Sequence, residues 1–296
     1  MAETHEPRQR PALGIALRVG SMFVFAGMSA LVKLCGEAGV PVFQMIFFRN
    51  AFAFVPLGLY IWRTSGWSVL RTNRPLGHVL RSAIGLFGMV CGFSALQRLP
   101  LTAATALSFA APLFMTALAV PILKEKVGPH RWAAVAVGFV GVMIMVRPDP
   151  GHMNLLGALF GLGGAIGSAA AMTTIREIGR TERGPTIVFY FTLAGALMGL
   201  ASLPFGWVAP TPGVLTLLVL MGLIGGVGQL LLTEALRVAP VGVVAPFDYT
   251  QLLWASLLGF VIWGELPRPW TIAGALIVAA SGVYILYREL RRRRPG

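Results

Sequence analysis

The side chain with the clearest chemical potential is an aspartate, Asp248, within the apolar stretch APFDYTQ. A carboxylate among apolar residues is costly to bury unless it is paired or faces water, which makes it a candidate functional group. Two roles fit such a group: it could bind the amine of a substrate, or it could carry a coupling proton. The alternative is a structural ion pair with a basic residue.

Asp248 has a counterpart in the first half of the chain. If the chain is helical here, a rotation of 100° per residue puts Gln251 on the same face as Asp248. A matching segment lies 140 positions earlier, where Ser108 takes the place of Asp248 and Pro112 and Met115 continue the face. We expect these two faces to line one cavity. The aromatic residues expected beside it are Phe109, Phe247 and Tyr249.

Arg49 is the second isolated charge. It lies eight residues into an apolar stretch, which is roughly 12 Å from the end of a helix. It is a candidate to receive a substrate carboxylate, but it could equally pair with Asp248 or with helix-end carbonyls, and we favour a structural role. The residues expected to form a substrate site are Asp248, Gln251, Tyr249, Ser108, Phe109, Pro112, Met115 and Arg49.

The composition indicates a membrane protein. Only 12% of the 296 residues are charged and 56% are hydrophobic, whereas a soluble domain carries about 25% charged residues. Many uncharged stretches are long enough to cross a bilayer, where helices satisfy the backbone polar groups. We therefore predict an all-α integral membrane protein. The ten expected spans are residues 13–34, 41–62, 77–97, 102–123, 130–147, 154–175, 185–207, 212–236, 242–263 and 269–287.

Proline and glycine mark special points within these spans. Pro112 lies inside span 4 and Pro246 inside span 9. Each removes a backbone hydrogen bond and favours a kink. The freed carbonyls could face a cavity, and the alternative is a static bend. Glycines recur at close spacing in spans 3, 6 and 8, where small residues favour close helix packing over direct substrate contact.

The 24 Lys and Arg residues are distributed unevenly between alternate segments. Arg49 lies within a span. The poorer set of segments holds four, which are Lys33, Arg98, Arg147 and Arg268. The remaining 19 belong to the opposite set, which includes both termini, so the positive-inside rule places both termini in the cytoplasm. The basic run at residues 291–294 then lies near anionic lipid. The chain has a net charge of +13, and we expect its basic residues to contact membrane lipid and not nucleic acid.

The second half of the chain repeats the pattern of the first. Glu125 aligns with Glu265 and Gly141 with Gly282, at a period of about 140 residues. Five spans per repeat is an odd number, so the second repeat enters the membrane from the opposite face. We predict two inverted five-helix repeats, residues 1–148 and 149–296, with the substrate site near the midplane where they meet. A carboxylate at each of the two aligned turns suits a helix start, so we expect Glu125 and Glu265 to cap helices.

Two segments carry a resemblance to a known family. They are LSFAAPLFMTALAVPILKEKVGPHRWAAVAVGFVGVMIMVRP and FVIWGELPRPWTIAGALIVAASGVYILY, in which a glutamate follows one span and a glycine-containing span closes the repeat. With ten spans, two repeats and cytoplasmic termini, the chain resembles the drug/metabolite transporter superfamily and, within it, the EamA-type exporters. The resemblance implies export of small metabolites, commonly amino acids, across the bacterial inner membrane by alternating access.

The resemblance leaves the substrate open between branches. The YddG branch exports aromatic amino acids, and an aromatic or hydrophobic amino acid is our first expectation. Other branches import S-adenosylmethionine, riboflavin or other metabolites. A membrane enzyme is the rival from another class, but it would need clustered carboxylates, a His/Asp pair or a metal motif. The four histidines are scattered and the two cysteines form no CxxC pair, so we expect no metal and no cofactor. We expect a monomer, with a dimer as the alternative.

Cysteine labelling in intact cells tests the predicted orientation. After Cys35 and Cys91 have been removed, Ser65→Cys should be shielded from an impermeant thiol reagent, because its loop faces the cytoplasm. Asp149→Cys should be labelled, because its loop faces outward. The reverse pattern would overturn the orientation argued from the basic residues.

Overall fold

The computed structural model describes residues 10–64, 66–123, 129–146, 154–179, 181–239 and 241–292, and these residues form ten helical spans. The continuous helices are α1 (Pro11–Glu37), α2 (Val42–Thr64), α3 (Pro75–Leu96), α5 (Pro129–Val146), α6 (Leu155–Ile178), α7 (Gly184–Ala201), α8 (Pro212–Val238) and α10 (Pro269–Arg292). The interrupted helices are α4, made of α4a (Leu101–Ser108) and α4b (Ala111–Leu123), and α9, made of α9a (Val241–Val244), the 3-10 turn Ala245–Tyr249 and α9b (Thr250–Trp263). Each predicted span coincides with one of them, which confirms the all-helical fold.

Local sequence signals set the helix ends. Proline occupies one of the first two positions of α1, α3, α7 and α8, where a backbone N–H would lack an intrahelical partner. At the start of α6, the Asn154 side chain accepts a hydrogen bond from the N–H of Gly157 at 2.9 Å. α7 ends six residues before the predicted end of its span. Pro204 has no N–H to continue the helix, and Gly206 has φ 91°, in the left-handed region.

The apolar surface of the helices identifies them as membrane spans. α1, α2, α3, α6, α7 and α8 are long and apolar enough to cross a membrane, and α4, α5 and α10 contain shorter apolar segments. Large apolar side chains point outward on α3 and α9b: Leu76 is 79% exposed, Leu253 68% and Val261 69%. Exposed apolar surface on this scale needs lipid to cover it.

The two repeats pack through equivalent pairs of helices. α1, the first helix of the first repeat, contacts α8, and α6, the first helix of the second repeat, contacts α3. These two contacts are equivalent because α8 and α3 are each the third helix of their repeat. α2 packs on α7, α4 on α9 and α5 on α10, so that each of these helices meets its own counterpart. A pseudo-two-fold axis in the membrane plane, as in inverted-repeat transporters, requires this pairing.

Glycines bring α3 and α6 into backbone contact. A Cβ added to Gly167 would lie 2.5 Å from Cα of Gly88, and one added to Gly88 would lie 3.1 Å from the carbonyl carbon of Gly167. α1 and α8 meet in the same way, since a Cβ on Gly14 would lie 2.3 Å from Cβ of Ala239. The glycines of spans 3 and 6 thus have the packing role predicted for them.

Both predicted kinks are present as interruptions. The amides of residues 109–110 bond to carbonyls three residues back instead of four. Pro112 explains this break, because it has no N–H to offer the carbonyl of Ser108. α9 is interrupted over Ala245–Tyr249, a 3-10 turn that contains Pro246. Each repeat therefore has one broken helix at the same place in its order.

Two basic residues counted with the cytoplasmic segments lie inside helices. Arg18 and Arg81 are each about two turns from the start of their helix, and they are only 6% and 9% exposed. Both lie within the predicted spans 13–34 and 77–97, so counting them as loop residues was wrong. They belong to the interior of the protein.

A single methyl group tests the contact between α3 and α6. Gly167→Ala should force the two backbones apart, because its Cβ would lie 2.5 Å from Gly88. Overpacking of this kind typically costs about 1–3 kcal/mol, which thermal unfolding in detergent measures. Gly92→Ala, on α3, is the matched control, because its Cβ would meet no atom within 4 Å. Equal losses of stability in the two variants would contradict the contact.

Candidate functional site

The interruptions of α4 and α9 lie against each other. The rings of Phe109 and Tyr249, one from each break, pack edge to face with centroids 5.1 Å apart at 74°. The hydroxyls of Thr102 on α4a and Ser256 on α9b are 3.5 Å apart. The structure therefore brings the two interrupted helices together at the boundary between the repeats.

The remaining residues of these faces differ in exposure. Phe109 is buried, whereas Ser108 is exposed. Pro112, Met115 and Gln251 are half-buried. Their partial exposure is compatible with a lining that a ligand or water can reach.

Asp248 forms an ion pair with Arg18 of α1. The guanidinium donates two hydrogen bonds, from Nη2 to Oδ2 at 2.6 Å and from Nε to Oδ1. The pair joins the first helix of the N-terminal repeat to the break in α9. The partner of Asp248 is therefore Arg18 and not Arg49, which was one of the alternatives from the sequence.

The two members of this pair differ in accessibility. The Arg18 side chain is 8% exposed, but that of Asp248 is 36% exposed. A bidentate Arg–carboxylate pair is strong and directional. A substrate amine or a proton that neutralised Asp248 would compete with Arg18 for it. The pair can therefore link binding at Asp248 to the position of α1 against α9.

Arg49 belongs to a different cluster, with Arg81 and Phe191. Its Cζ lies 5.8 Å from the centroid of the Phe191 ring, and Cζ of Arg81 lies 4.3 Å from the same centroid. Arg49 also donates from Nη1 to Oδ1 of Asn50 at 2.9 Å. The sequence reasoning missed Arg81 because it treated the residue as part of a loop. The available signal was its position inside the predicted span 77–97.

Lys33 and Glu265 link the repeats at one face of the protein. Lys33 Nζ donates to Oε1 of Glu265, and Oε2 accepts from the backbone N–H of Leu101 at 3.1 Å. Leu101 is the first residue of α4a, so Glu265 caps a helix of the other repeat and not α10, which follows it. Lys33 also lies 4.4 Å from the centroid of the Trp263 ring. Glu125 lies outside the described residues.

Glu182, in the turn between α6 and α7, links the repeats at the other face. Its Oε1 accepts from the Thr72 hydroxyl at 2.9 Å and from the Asn73 N–H at 3.1 Å. Burial alone would raise the pKa of the Glu182 carboxyl, but the hydrogen bonds from Thr72 and Asn73 and the nearby His78 outweigh burial and lower it. The group therefore stays a carboxylate and holds the α2–α3 loop.

The charged groups lie apart from one another. Within the described ranges, no three or more His, Cys, Asp or Glu side chains are grouped so that they could hold a metal ion. Asp248 and Glu265 are each paired with a basic residue of α1, Arg18 and Lys33, instead of forming a nucleophile with its base. Such pairs can hold, release and exchange charged partners.

Comparison with known families shows to which class of protein the chain belongs. Residues 12–147 and 155–288 each match the EamA-like transporter family. The chain belongs to this family. It is a multi-pass membrane transporter and not an enzyme, and the two matches fit the repeat seen in the fold.

Similar members of the EamA-like family are named for different substrates. The S-adenosylmethionine uptake transporter of Rickettsia prowazekii (strain Madrid E) is 31% identical over 247 residues, which cover 83% of each chain. The riboflavin transporter of Rhizobium johnstonii is 31% identical over 287 residues, covering 96% of this chain and 94% of that protein. The pseudopaline exporter CntI of Pseudomonas aeruginosa (strain UCBPP-PA14) is 28% identical over 269 residues, covering 90% and 94%. Transport of a small molecule is thus shown, while an amino-acid substrate, export and the YddG branch stay predictions.

A solved structure shares the fold. A protein known from a crystal structure superposes with a TM-score of 0.65 at 19% identity, covering 96% of this chain and 98% of the other. At this level of identity the likeness concerns the fold alone.

Replacing Asp248 tests its pairing with Arg18. Asp248→Asn leaves Arg18 buried without its carboxylate, and removing one partner of a buried pair costs about 3–5 kcal/mol. Since Asp248 is partly exposed, we expect a loss below about 3 kcal/mol, measured by thermal unfolding. Adding Arg18→Gln should restore part of the loss. Strictly additive losses for Asp248→Asn and Arg18→Gln would show that the pair is not coupled.

Proposed function

We propose that this transporter carries a small metabolite of the amino-acid type across the bacterial inner membrane by alternating access, with export as its direction and both termini in the cytoplasm. The observation that supports it best is the crossing of two interrupted helices, one from each repeat, beside an accessible carboxylate. In inverted-repeat transporters, interrupted helices at the repeat interface form the substrate site.

The side chains at the place where α4 and α9 meet favour a ligand with an amine and an apolar part. Asp248 offers a carboxylate that is 36% exposed, and a charge-assisted hydrogen bond is the strong way to hold an amine. The partly exposed ring of Tyr249, packed on the buried Phe109, offers an aromatic surface between the two breaks. An aromatic or hydrophobic amino acid carries both groups. S-adenosylmethionine, which names the Rickettsia relative, has an amino-acid moiety and falls in the same class.

The links at the two faces fit alternating access. Lys33 and Glu265 join the repeats at one face, and Glu182 binds the α2–α3 loop at the other. A cycle that opens one face at a time would break one set of links while the other set holds. The close glycine contact between α3 and α6 gives the repeats a surface on which small displacements are possible.

A riboflavin-type substrate is the second candidate. The riboflavin transporter of Rhizobium johnstonii aligns over 96% of this chain, and the aromatic pair Phe109–Tyr249 suits a flat ring system. Riboflavin lacks the α-amine of an amino acid. Binding of an amino acid should therefore depend on Asp248, and binding of riboflavin should depend on it far less.

Transport by purified protein in proteoliposomes distinguishes these substrates. We expect counterflow of a radiolabelled aromatic or hydrophobic amino acid, or of S-adenosylmethionine. Asp248→Asn removes a charge-assisted hydrogen bond worth about 1.5–3 kcal/mol, so the apparent affinity for these amine substrates should fall roughly tenfold to a hundredfold. The affinity for riboflavin should change far less.

Glu177→Gln is the matched control, since it removes a carboxylate that is exposed at the surface. Its transport should equal that of the wild type. Transport of riboflavin alone, or of no amine-bearing metabolite in either direction, would contradict the proposed substrate class. If Asp248→Asn keeps counterflow but loses accumulation driven by a pH gradient, Asp248 carries the coupling proton instead of holding the amine.

A further inference from the structure

Two buried arginines of the N-terminal repeat meet at one aromatic ring of the other repeat. Arg49 comes from α2 and Arg81 from α3, and their Cζ atoms lie 5.8 and 4.3 Å from the ring centroid of Phe191 on α7. Arg49 is 7% exposed and Arg81 is 9% exposed. Two positively charged side chains therefore lie in the same buried region between the helices.

Three of the six guanidinium nitrogens in this region lack acceptors. Nε of Arg49, and Nε and Nη1 of Arg81, are buried and have no hydrogen-bond partner among the residues that the structure describes. Arg49 Nη1 donates to a neutral acceptor, Oδ1 of Asn50, at 2.9 Å. In the same described ranges, neither arginine takes part in a salt bridge.

Burying these two guanidiniums costs free energy unless a ligand supplies the missing partners. A buried charge needs a counter-charge and hydrogen-bond partners, and two like charges side by side repel each other. The face of Phe191 attracts a cation, but it does not accept the in-plane N–H donors of a guanidinium. The missing partner is negatively charged and has several acceptor atoms, which describes an oxyanion.

Glycines lie beside both guanidiniums. A Cβ added to Gly85 would lie 2.1 Å from Nη1 of Arg81, so any side chain there would displace the guanidinium. A Cβ added to Gly225 on α8 would lie 3.7 Å from Nε of Arg49. Arg81 therefore packs directly on the backbone of Gly85.

We propose that Arg49 and Arg81 form an oxyanion site, which binds a carboxylate or phosphate group of the transported substrate. The guanidinium fork matches both groups in bidentate geometry. That the anion belongs to the substrate rests on the proposed function, whereas the oxyanion chemistry rests on the two arginines alone. This site gives Arg49 the carboxylate-binding role over the structural one and adds Arg81 to it.

The Arg49 end of the oxyanion site lies at a different depth from Arg18. Gly225 is next to Arg49, and a Cβ added to it would lie 2.9 Å from Sδ of Met28 on α1. Met28 is ten residues beyond Arg18, the partner of Asp248, which is about 15 Å along a helix. Arg49 therefore lies further along the path across the membrane than Arg18 does.

Thermal unfolding of the purified full chain in detergent tests the site with three probes of one ring size. Benzoate and phenyl phosphate supply the two oxyanions, and benzamide is the neutral match, all at equal ionic strength. At least one oxyanion should raise the Tm of the wild type at concentrations where benzamide does not. The comparison of benzoate with phenyl phosphate identifies the preferred group. Arg49→Gln and Arg81→Gln should each weaken the apparent affinity for that oxyanion at least tenfold.

Arg98→Gln is the matched control. Arg98 also lies over a phenylalanine ring, with Cζ 5.0 Å from the centroid of Phe160, but it is exposed and donates to the carbonyl oxygen of Ser94 at 2.9 Å. Its variant should bind the oxyanion as the wild type does. Equal stabilisation by benzamide, or unchanged oxyanion affinity in both the Arg49 and Arg81 variants, would overturn the proposal.

A second readout separates ligand binding from a structural role. Without an oxyanion, Arg81→Gln should leave the Tm unchanged or raise it, because it removes an unpaired buried charge. A structural arginine would lower the Tm when replaced, and this result would overturn the proposal. If a Gln variant fails to fold, Arg49→Lys and Arg81→Lys keep the charge but lose the fork, and they should still bind the oxyanion severalfold more weakly.

The site and the proposed function can fail separately. Oxyanion binding that depends on both arginines, in a protein that carries no amino acid and no S-adenosylmethionine, would retain the site and reject the substrate class. Transport of these metabolites with unchanged affinity in both arginine variants would retain the function and reject the site.

Discussion

The lack of water inside a bilayer is the constraint on which this structure depends. Every backbone N–H and carbonyl in a span needs a partner within the protein, so interruptions are tolerated only where other protein groups surround them. The breaks in α4 and α9 satisfy this condition by facing each other at the repeat interface. Each also has its own hydroxyl: Ser108 donates to the carbonyl of Thr105, and Thr250 donates to that of Phe247, both at 2.6 Å. The same solution thus appears once in each repeat.

Because of the same constraint, the ion pairs connect the two repeats firmly. Arg18 and Lys33 belong to α1, whereas their partners Asp248 and Glu265 belong to the second repeat. In a region of low dielectric constant, neither charge can leave its partner without a substitute. A movement of one repeat against the other must therefore exchange these partners or keep them together. In the proposed cycle, a charged substrate or a proton serves as the substitute, which would couple binding to movement.

Local patterns predicted the helices and their breaks, but not which charges meet. Span positions follow from apolar length, and the breaks follow from Pro112 and Pro246, because both signals act within a few residues of their source. The pairing of Arg18 with Asp248 joins residues 230 positions apart, and it depends on the side-by-side packing of α1 and α9. No local pattern specifies that packing. Arg81 was missed for a simpler reason, since counting charges by loop hid a buried residue near a helix start.

The inverted repeats share a backbone plan but not their charges. Asp248 stands where the first repeat has Ser108, and the serine hydroxyl is satisfied within its own helix whereas the carboxylate needs Arg18. In an inverted-repeat transporter, the two end states exchange the conformations of the repeats, so identical repeats would make these states equal in energy. A charge present in only one repeat removes that equality. Any ligand that changes the Arg18–Asp248 pair then shifts the balance between the states by its differential interaction with them. The departure from symmetry at this one position therefore gives a ligand a means to control which face is open.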